Sequence, residues 1–351
     1  MREYRLSDLA ASMILGSSLA ASSATQPVFG AIADRRPAPW LLWGGVLLGA
    51  IATAATAGAG SYPVLLGLII VAGLGVAGYH PEAARVANRL AAERPASGLA
   101  WFMVGGNAGS AAGPLLAALT IPFMGLNAVL VFLIPAAIAA GFLWVNRPRL
   151  QPVVGHEHHT GPRPPAHVPG TLLLLVVTTL RTWSMFVMMA LMPLVLTQER
   201  HMSERTGALS VFGFAAAGAV GTVVGARISD RVGPRRMLTL TMPVAAPFVA
   251  ASVLLPTFAG IAAMAAAGFV ILGSFSVTVA LAQEYLPSRL ALAAGLMIGF
   301  GAIGSAPPGL ALFGWLADET SRQTALVTLA ALPVIAGLLA SLLPPPRPAT
   351  A

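Results

Sequence analysis

The chain has no cysteine and no lysine, and only 12 of its 351 residues are acidic. Without cysteine there are no disulfides, no thiolate metal sites and no thiol nucleophiles. Without lysine there is no Gly-x-x-x-x-Gly-Lys-Ser/Thr phosphate loop, the usual signature of ATP use. No apolar run carries the cluster of carboxylates that membrane hydrolysis would need. No enzyme signature is present, and neither cofactor nor metal is expected. Charged residues make up 9% of the chain, against roughly 25% in a soluble domain.

What the chain does have is long apolar runs. It is 57% hydrophobic, more than one aqueous core could hide, so lipid must be the solvent for most of it. Eleven runs near the ~20 residues that cross a bilayer read as spans, an all-α membrane protein. They cover Leu9–Ala31, Trp40–Ala57, Pro63–Tyr79, Gly98–Ile121, Phe123–Val145, Gly170–Leu196, Thr206–Ile228, Met237–Leu255, Phe258–Ala282, Leu290–Leu316 and Thr324–Leu343. Arg2, Arg5 and Ser18-Leu-Ala-Ala-Ser give the first run the outline of a secretory leader. That run continues unbroken into Gln26-Pro27-Val28-Phe29-Gly30, so it reads as a helix.

Two matches at one spacing reveal a duplication. Gly30-Ala-Ile-Ala-Asp34-Arg35-Arg36 is echoed by Gly225-Ala-Arg-Ile-Ser-Asp230-Arg231-Val-Gly233-Pro-Arg235-Arg236, with the aspartates 230 − 34 = 196 positions apart. Ser97-Gly98-Leu99-Ala100 opens one small-residue helix and Ala294-Gly295-Leu296-Met297 another, 295 − 98 = 197 positions on. In a hydrophobic chain this predicts a transporter of two parallel halves. Residues 1–145 would form one bundle and 170–351 the other, joined by a linker at 146–169. Subtracting 196 from Gly170–Leu196 places that span's counterpart at −26 to 0, ahead of Met1. The halves therefore count five and six helices, and an upstream start or a naturally shortened form is expected.

Loops on one side carry Arg35, Arg36, Arg85, Arg89, Arg94, Arg147, Arg149, Arg163, Arg227, Arg231, Arg235, Arg236, Arg289 and Arg347. The other side has Arg2, Arg5, Arg200, Arg205 and Arg322. The positive-inside rule makes the first side cytoplasmic, together with the linker and the C-terminus. The net charge of +8 is thus a topology signal rather than a mark of nucleic-acid binding. His156, His158, His159 and His167 in the linker read as a solvated segment rather than a metal site.

The two hinges have a chemical reading. Gly30 and Gly225 let backbones approach closely where a span leaves the membrane. Asp34 or Asp230 can face a helix N-terminus, while Arg35, Arg231, Arg235 and Arg236 pair with acidic groups or lipid phosphates. Such a cluster would latch helix ends in one conformation and release them in another. A plain snorkelling anchor is the competing reading.

These hinges resemble the loop signature Gly-x-x-x-Asp-Arg-x-Gly-Arg-Arg of the major facilitator superfamily. The second copy fits through Asp230, Arg231, Gly233, Arg235 and Arg236, whereas the first departs at Arg36-Pro37. Within that superfamily the chain is similar to the fosmidomycin resistance family of drug exporters. The likeness rests on Gln26-Pro-Val-Phe-Gly30, His80-Pro-Glu82-Ala-Ala, Val104-Gly-Gly-Asn107-Ala-Gly109, Leu180-Arg181-Thr-Trp183 and Ala282-Gln283-Glu284-Tyr-Leu-Pro287. The resemblance implies proton-coupled efflux of small toxic compounds by a monomer in a bacterial inner membrane. The family's first helix, with its His and Asp positions, has no counterpart here. An importer of an organic anion on the same fold, or a transport-inactive shortened protein, are the other readings.

Arg181 is the most informative candidate, a charge near mid-span that must face a partner, water or an anionic substrate. Trp183 lies beside it. Glu82 and Glu284, at the ends of corresponding helices, could carry a proton or hold a salt bridge. His80 has a suitable titration range, and Gln26, Asn107 and Gln283 are polar residues in or at the end of apolar helices. Gly105, Gly106, Gly109, Gly113 and Pro114 form a small-residue stripe resembling the fifth-helix signature of proton-coupled exporters; it predicts tight packing and a bend at Pro114.

Overall fold

The computed structural model describes residues 8–35, 38–154 and 165–345. Arg36, Pro37, His156, His158 and His159 lie outside them, as do the side chains of Pro114 and its neighbours at 110, 111, 115 and 118. Among the described residues the long apolar runs are helical, as they must be where no water can satisfy the backbone. The helices are α1 (Asp8–Arg35), α2 (Trp40–Ala55), α3 (Tyr62–Leu90), α4 (Pro95–Met124), α5 (Leu133–Val145), α6 (Arg147–Val154), α7 (Val168–Leu194) and α8 (Glu204–Val232). They continue as α9 (Pro234–Leu254), α10 (Thr257–Gly273), α11 (Phe275–Tyr285), α12 (Leu290–Ala294), α13 (Ala306–Glu319), α14 (Arg322–Leu329) and α15 (Ala331–Ser341).

Helix starts follow local chemistry. His167 caps α7, its Nδ1 accepting from the Gly170 backbone at 3.0 Å. Ser203 caps α8 by accepting from Thr206 N at 3.2 Å, and Ser321 caps α14 by accepting from Thr324 N at 3.0 Å. These side chains satisfy N–H groups that a helix start leaves open. Gly233 ends α8 at φ +88°, a left-handed geometry that favours glycine.

Among the described residues, nine helices are long and apolar enough to span a membrane. The expected runs at Leu9–Ala31 and Gly98–Ile121 also form helices, α1 and α4, and the last residues of α4 open one of the nine, Leu119–Val145.

Contacts divide the chain into two units. The first comprises the described residues of Met1–Leu90, Gly105–Pro164 and Ser288–Gly304; the second takes Ala91–Val104, Pro165–Pro287 and Ser305–Ala351. The two sequence halves thus exchange the segments at 91–104 and 288–304. One long span, Leu290–Glu319, is divided between the units, with a π-helical stretch, Gly295–Gly304, ending at the division.

The second unit has a core in which Val187, Met188, Leu191 and Met192 of α7 meet Phe214, Ala245, Val249 and Ile271. In the first unit, Gly49 and Thr53 occupy the places corresponding to Ala245 and Val249 (245 − 49 = 196 and 249 − 53 = 196). There they line a cleft of about 340 Å³ with Gly45, Tyr79, His80 and Phe132.

Candidate functional site

In the first unit α1 runs so close to α12 that a Cβ on Gly30 would lie 2.5 Å from the Ala291 carbonyl oxygen. Only glycine permits that approach, and it brings Asp34, one turn on, to the start of the helix beginning at Leu290. The Asp34 carboxylate accepts from Ala291 N at 3.0 Å and from Leu292 N at 2.7 Å. These are open first-turn donors at the positive end of the helix dipole, where an anion is worth up to ~2 kcal/mol when partly buried. Burial pushes the Asp34 carboxyl above its ordinary value, while the two N–H donors and Arg85 pull it down.

Behind Asp34 lies a buried ion pair. Arg85 Nη2 donates to Glu82 Oε1 at 2.6 Å, and Arg85 Nη1 donates to the Ala33 carbonyl at 3.1 Å while standing 3.9 Å from Asp34. Glu82 is 0% exposed and Arg85 2% exposed. Each charge is therefore tolerated only because the other is present. Sequence reasoning singled out Glu82 and counted Arg85 only as a loop charge; the Glu-x-x-Arg spacing on one helix was the signal for the pair.

The second copy makes the matching contact in the second unit. Ser97, in the first turn of α4, donates its hydroxyl to Asp230 Oδ2. Both aspartates thus reach the first turn of a small-residue helix, and these are the two helix starts that the repeat offset pairs. A Cβ on Gly225 would lie 2.1 Å from the Gly273 carbonyl oxygen. Arg235 donates to the Ser341 carbonyl, whereas Arg35, Arg231 and Arg236 are exposed.

Arg181 is 3% exposed within α7. Its guanidinium carbon lies 4.4 Å from the centroid of the Phe275 ring, a cation–π contact worth ~2 kcal/mol when desolvated. One hydrogen bond is marginal, Nη2 to the Thr182 hydroxyl at 3.5 Å, and Nη1 has no partner. Among the described residues no carboxylate pairs with it. The ring holds the cation without consuming its N–H donors, leaving an edge suited to an anion. Two residues on, Trp183 donates its indole N–H to the Ser305 carbonyl at 2.6 Å and covers Gly309. Trp183 is thereby a packing anchor for α13 against α7.

The remaining candidates separate. Glu284 is exposed at the end of α11, and Gln283 beside it is buried. Gln26 is buried, its Nε2 3.4 Å from the Ser22 hydroxyl and its Oε1 without a partner, with Gly295 and Gly299 packed on it. His80 is half-buried, a ring nitrogen 2.9 Å from the Val76 carbonyl and its edge toward Tyr79. Asn107 is exposed. A Cβ on Gly105, Gly109 or Gly113 would meet nothing within 4 Å among the described residues. Helix α4 runs on through Pro114.

A family model described as the Major Facilitator Superfamily matches residues 1–307 and again 174–351. The chain belongs to the major facilitator superfamily. As a member it is a membrane transporter rather than an enzyme. It is 31% identical to the fosmidomycin resistance protein of Escherichia coli (strain K12), across 98% of this chain and 86% of that protein. It is also 31% identical to YfnC of Bacillus subtilis (strain 168), an uncharacterised transporter of the same superfamily, across 92% of this chain and 81% of that one. Among solved structures, the E. coli fucose:proton symporter FucP superposes with a TM-score of 0.72 at 11% identity, covering 96% of this chain and 91% of its own. The human organic anion transporter MFSD10 gives 0.73 at 19% identity, covering 94% and 83%. These structures share the two-bundle transporter fold.

Proposed function

We propose that this superfamily member exports small anionic toxic compounds, phosphonates among them, in exchange for protons. The observation that carries the reading is Arg181, a desolvated guanidinium held by Phe275 with Nη1 left open. A phosphonate or carboxylate would supply the missing acceptors bidentately. The name of the E. coli relative supports the direction and the substrate class. Glu284 is the better proton carrier of the two glutamates, because it is exposed while Glu82 is committed to Arg85. The Asp34 and Asp230 contacts act as latches that open and close as the halves alternate access. In the inner membrane of a bacterium, the linker and C-terminus face the cytoplasm, as the arginine distribution requires.

The test is accumulation of a phosphonate antibiotic in cells expressing the chain, with and without an uncoupler, beside empty vector and an immunoblot of the membrane fraction. Lower accumulation that the uncoupler abolishes is expected. Accumulation raised above empty vector would favour the importer, and no difference despite good membrane expression would remove the phosphonate reading.

A further inference from the structure

In the second unit a cleft of about 540 Å³ opens between the α8–α9 turn and the end of α15. Arg235, Arg236, Thr239, Leu240 and Ser341 line it. Gly233, at φ +88°, turns the chain sharply enough for α9 to start there. Pro234 has no N–H, and Met237 N donates to Gly233 O at 3.0 Å. The backbone N–H groups of Arg235 and Arg236 are thus the first-turn donors without a partner inside the helix. No acidic residue sits in that turn, and no side chain caps it.

The two guanidiniums differ in duty. Arg235 is anchored on the Ser341 carbonyl. Arg236 is exposed and makes no ion pair among the described residues. Asp230, the carboxylate nearest in sequence, is engaged by Ser97. The cleft is therefore a cationic recess with a free cation at its edge. It also has an apolar wall: Leu240 is 67% exposed, and Val244, one turn along the same helix, is 49% exposed. Because α8 ends and α9 begins here, the recess stands at the shared end of two candidate spans, Glu204–Val232 and Pro234–Leu254, the level at which a span leaves the hydrocarbon for the headgroups.

We propose that this recess binds the phosphodiester headgroup of an anionic phospholipid, with an acyl chain along Leu240 and Val244. Free phosphate would satisfy the cations but would leave that wall uncovered.

The test uses the purified full chain in phosphatidylcholine nanodiscs titrated with phosphatidylglycerol, with retained lipid counted by native mass spectrometry. Saturable retention of phosphatidylglycerol over phosphatidylcholine is expected. Arg236→Ala and the longer, neutral Arg236→Gln should each weaken it about fivefold, the worth of one arginine near a lipid surface. Arg322→Ala, whose guanidinium is held instead by Gln198 and Glu199, should leave retention unchanged. Equal retention of both lipids would overturn the proposal, as would an equal loss in Arg322→Ala. Competition by millimolar inorganic phosphate as effective as phosphatidylglycerol itself would reassign the recess to a free anion and overturn the lipid assignment.

Discussion

Asp34 Oδ2 lies 2.7 Å from the backbone nitrogen of Leu292, a residue 258 positions further along the chain. That bond and its neighbour to Ala291 join the end of α1 to the start of another span. They use the full carboxylate, because Ala291 N donates to Oδ1 and Leu292 N to Oδ2.

Asp34→Asn keeps the shape but replaces one acceptor with an NH₂ that meets a backbone N–H. The expected cost is ~1–3 kcal/mol, read as a lower melting temperature in detergent. Asp230→Asn should slow transport turnover more than it weakens substrate binding, with Kd within about twofold of the parent. Weakened binding at unchanged turnover would contradict the latch.

Arg85→Ala leaves Glu82 buried without its counterion and is expected to cost ~3–5 kcal/mol. Replacing both, as Glu82→Gln with Arg85→Met, should recover much of that loss. A double-mutant cycle on denaturation midpoints measures the coupling, and additive single effects would count against a buried pair.

The sequence made the hinges legible because duplication supplied two copies of each partner. Offsets of 196 and 197 picked out the aspartates and the helix starts they touch, although neither match alone said that they meet. Arg85 escaped notice because its partner is three residues away on the same helix, a spacing common on solvated faces. Phe275 was invisible as a partner for Arg181 because no local pattern links residues on different helices. Gly105 on α4 differs from Gly30: among the described residues nothing lies within 4 Å of the place its Cβ would take.

That contrast is measurable. Gly30→Ala would force a methyl to within 2.5 Å of the Ala291 carbonyl oxygen, and overpacking against backbone is expected to cost ~1–3 kcal/mol. Gly105→Ala meets nothing within 4 Å and should be neutral or stabilise the helix by ~0.5–1 kcal/mol. Thermal melts of the two purified variants side by side decide it.

Arg181→Ala should abolish binding of an anionic substrate, while Arg181→Lys should retain part of it as a point charge without the bidentate fork. Phe275→Leu removes the ring face and should weaken binding by ~0.5–2 kcal/mol through a less well-placed cation. Isothermal titration of the purified protein gives all three. Full affinity in Arg181→Ala would remove this residue from the substrate site.

The exchange of segments between the two units bears on the protein's ancestry. Residues 91–104 are grouped with the second unit and residues 288–304 with the first, so each sequence half supplies a piece of the other's unit. A tandem duplication that has traded parts in this way is expected to keep its two halves in one gene product. Polypeptides cut at the linker should be inert when made singly and recover only when made together, and selection would act on the pair as one heritable character.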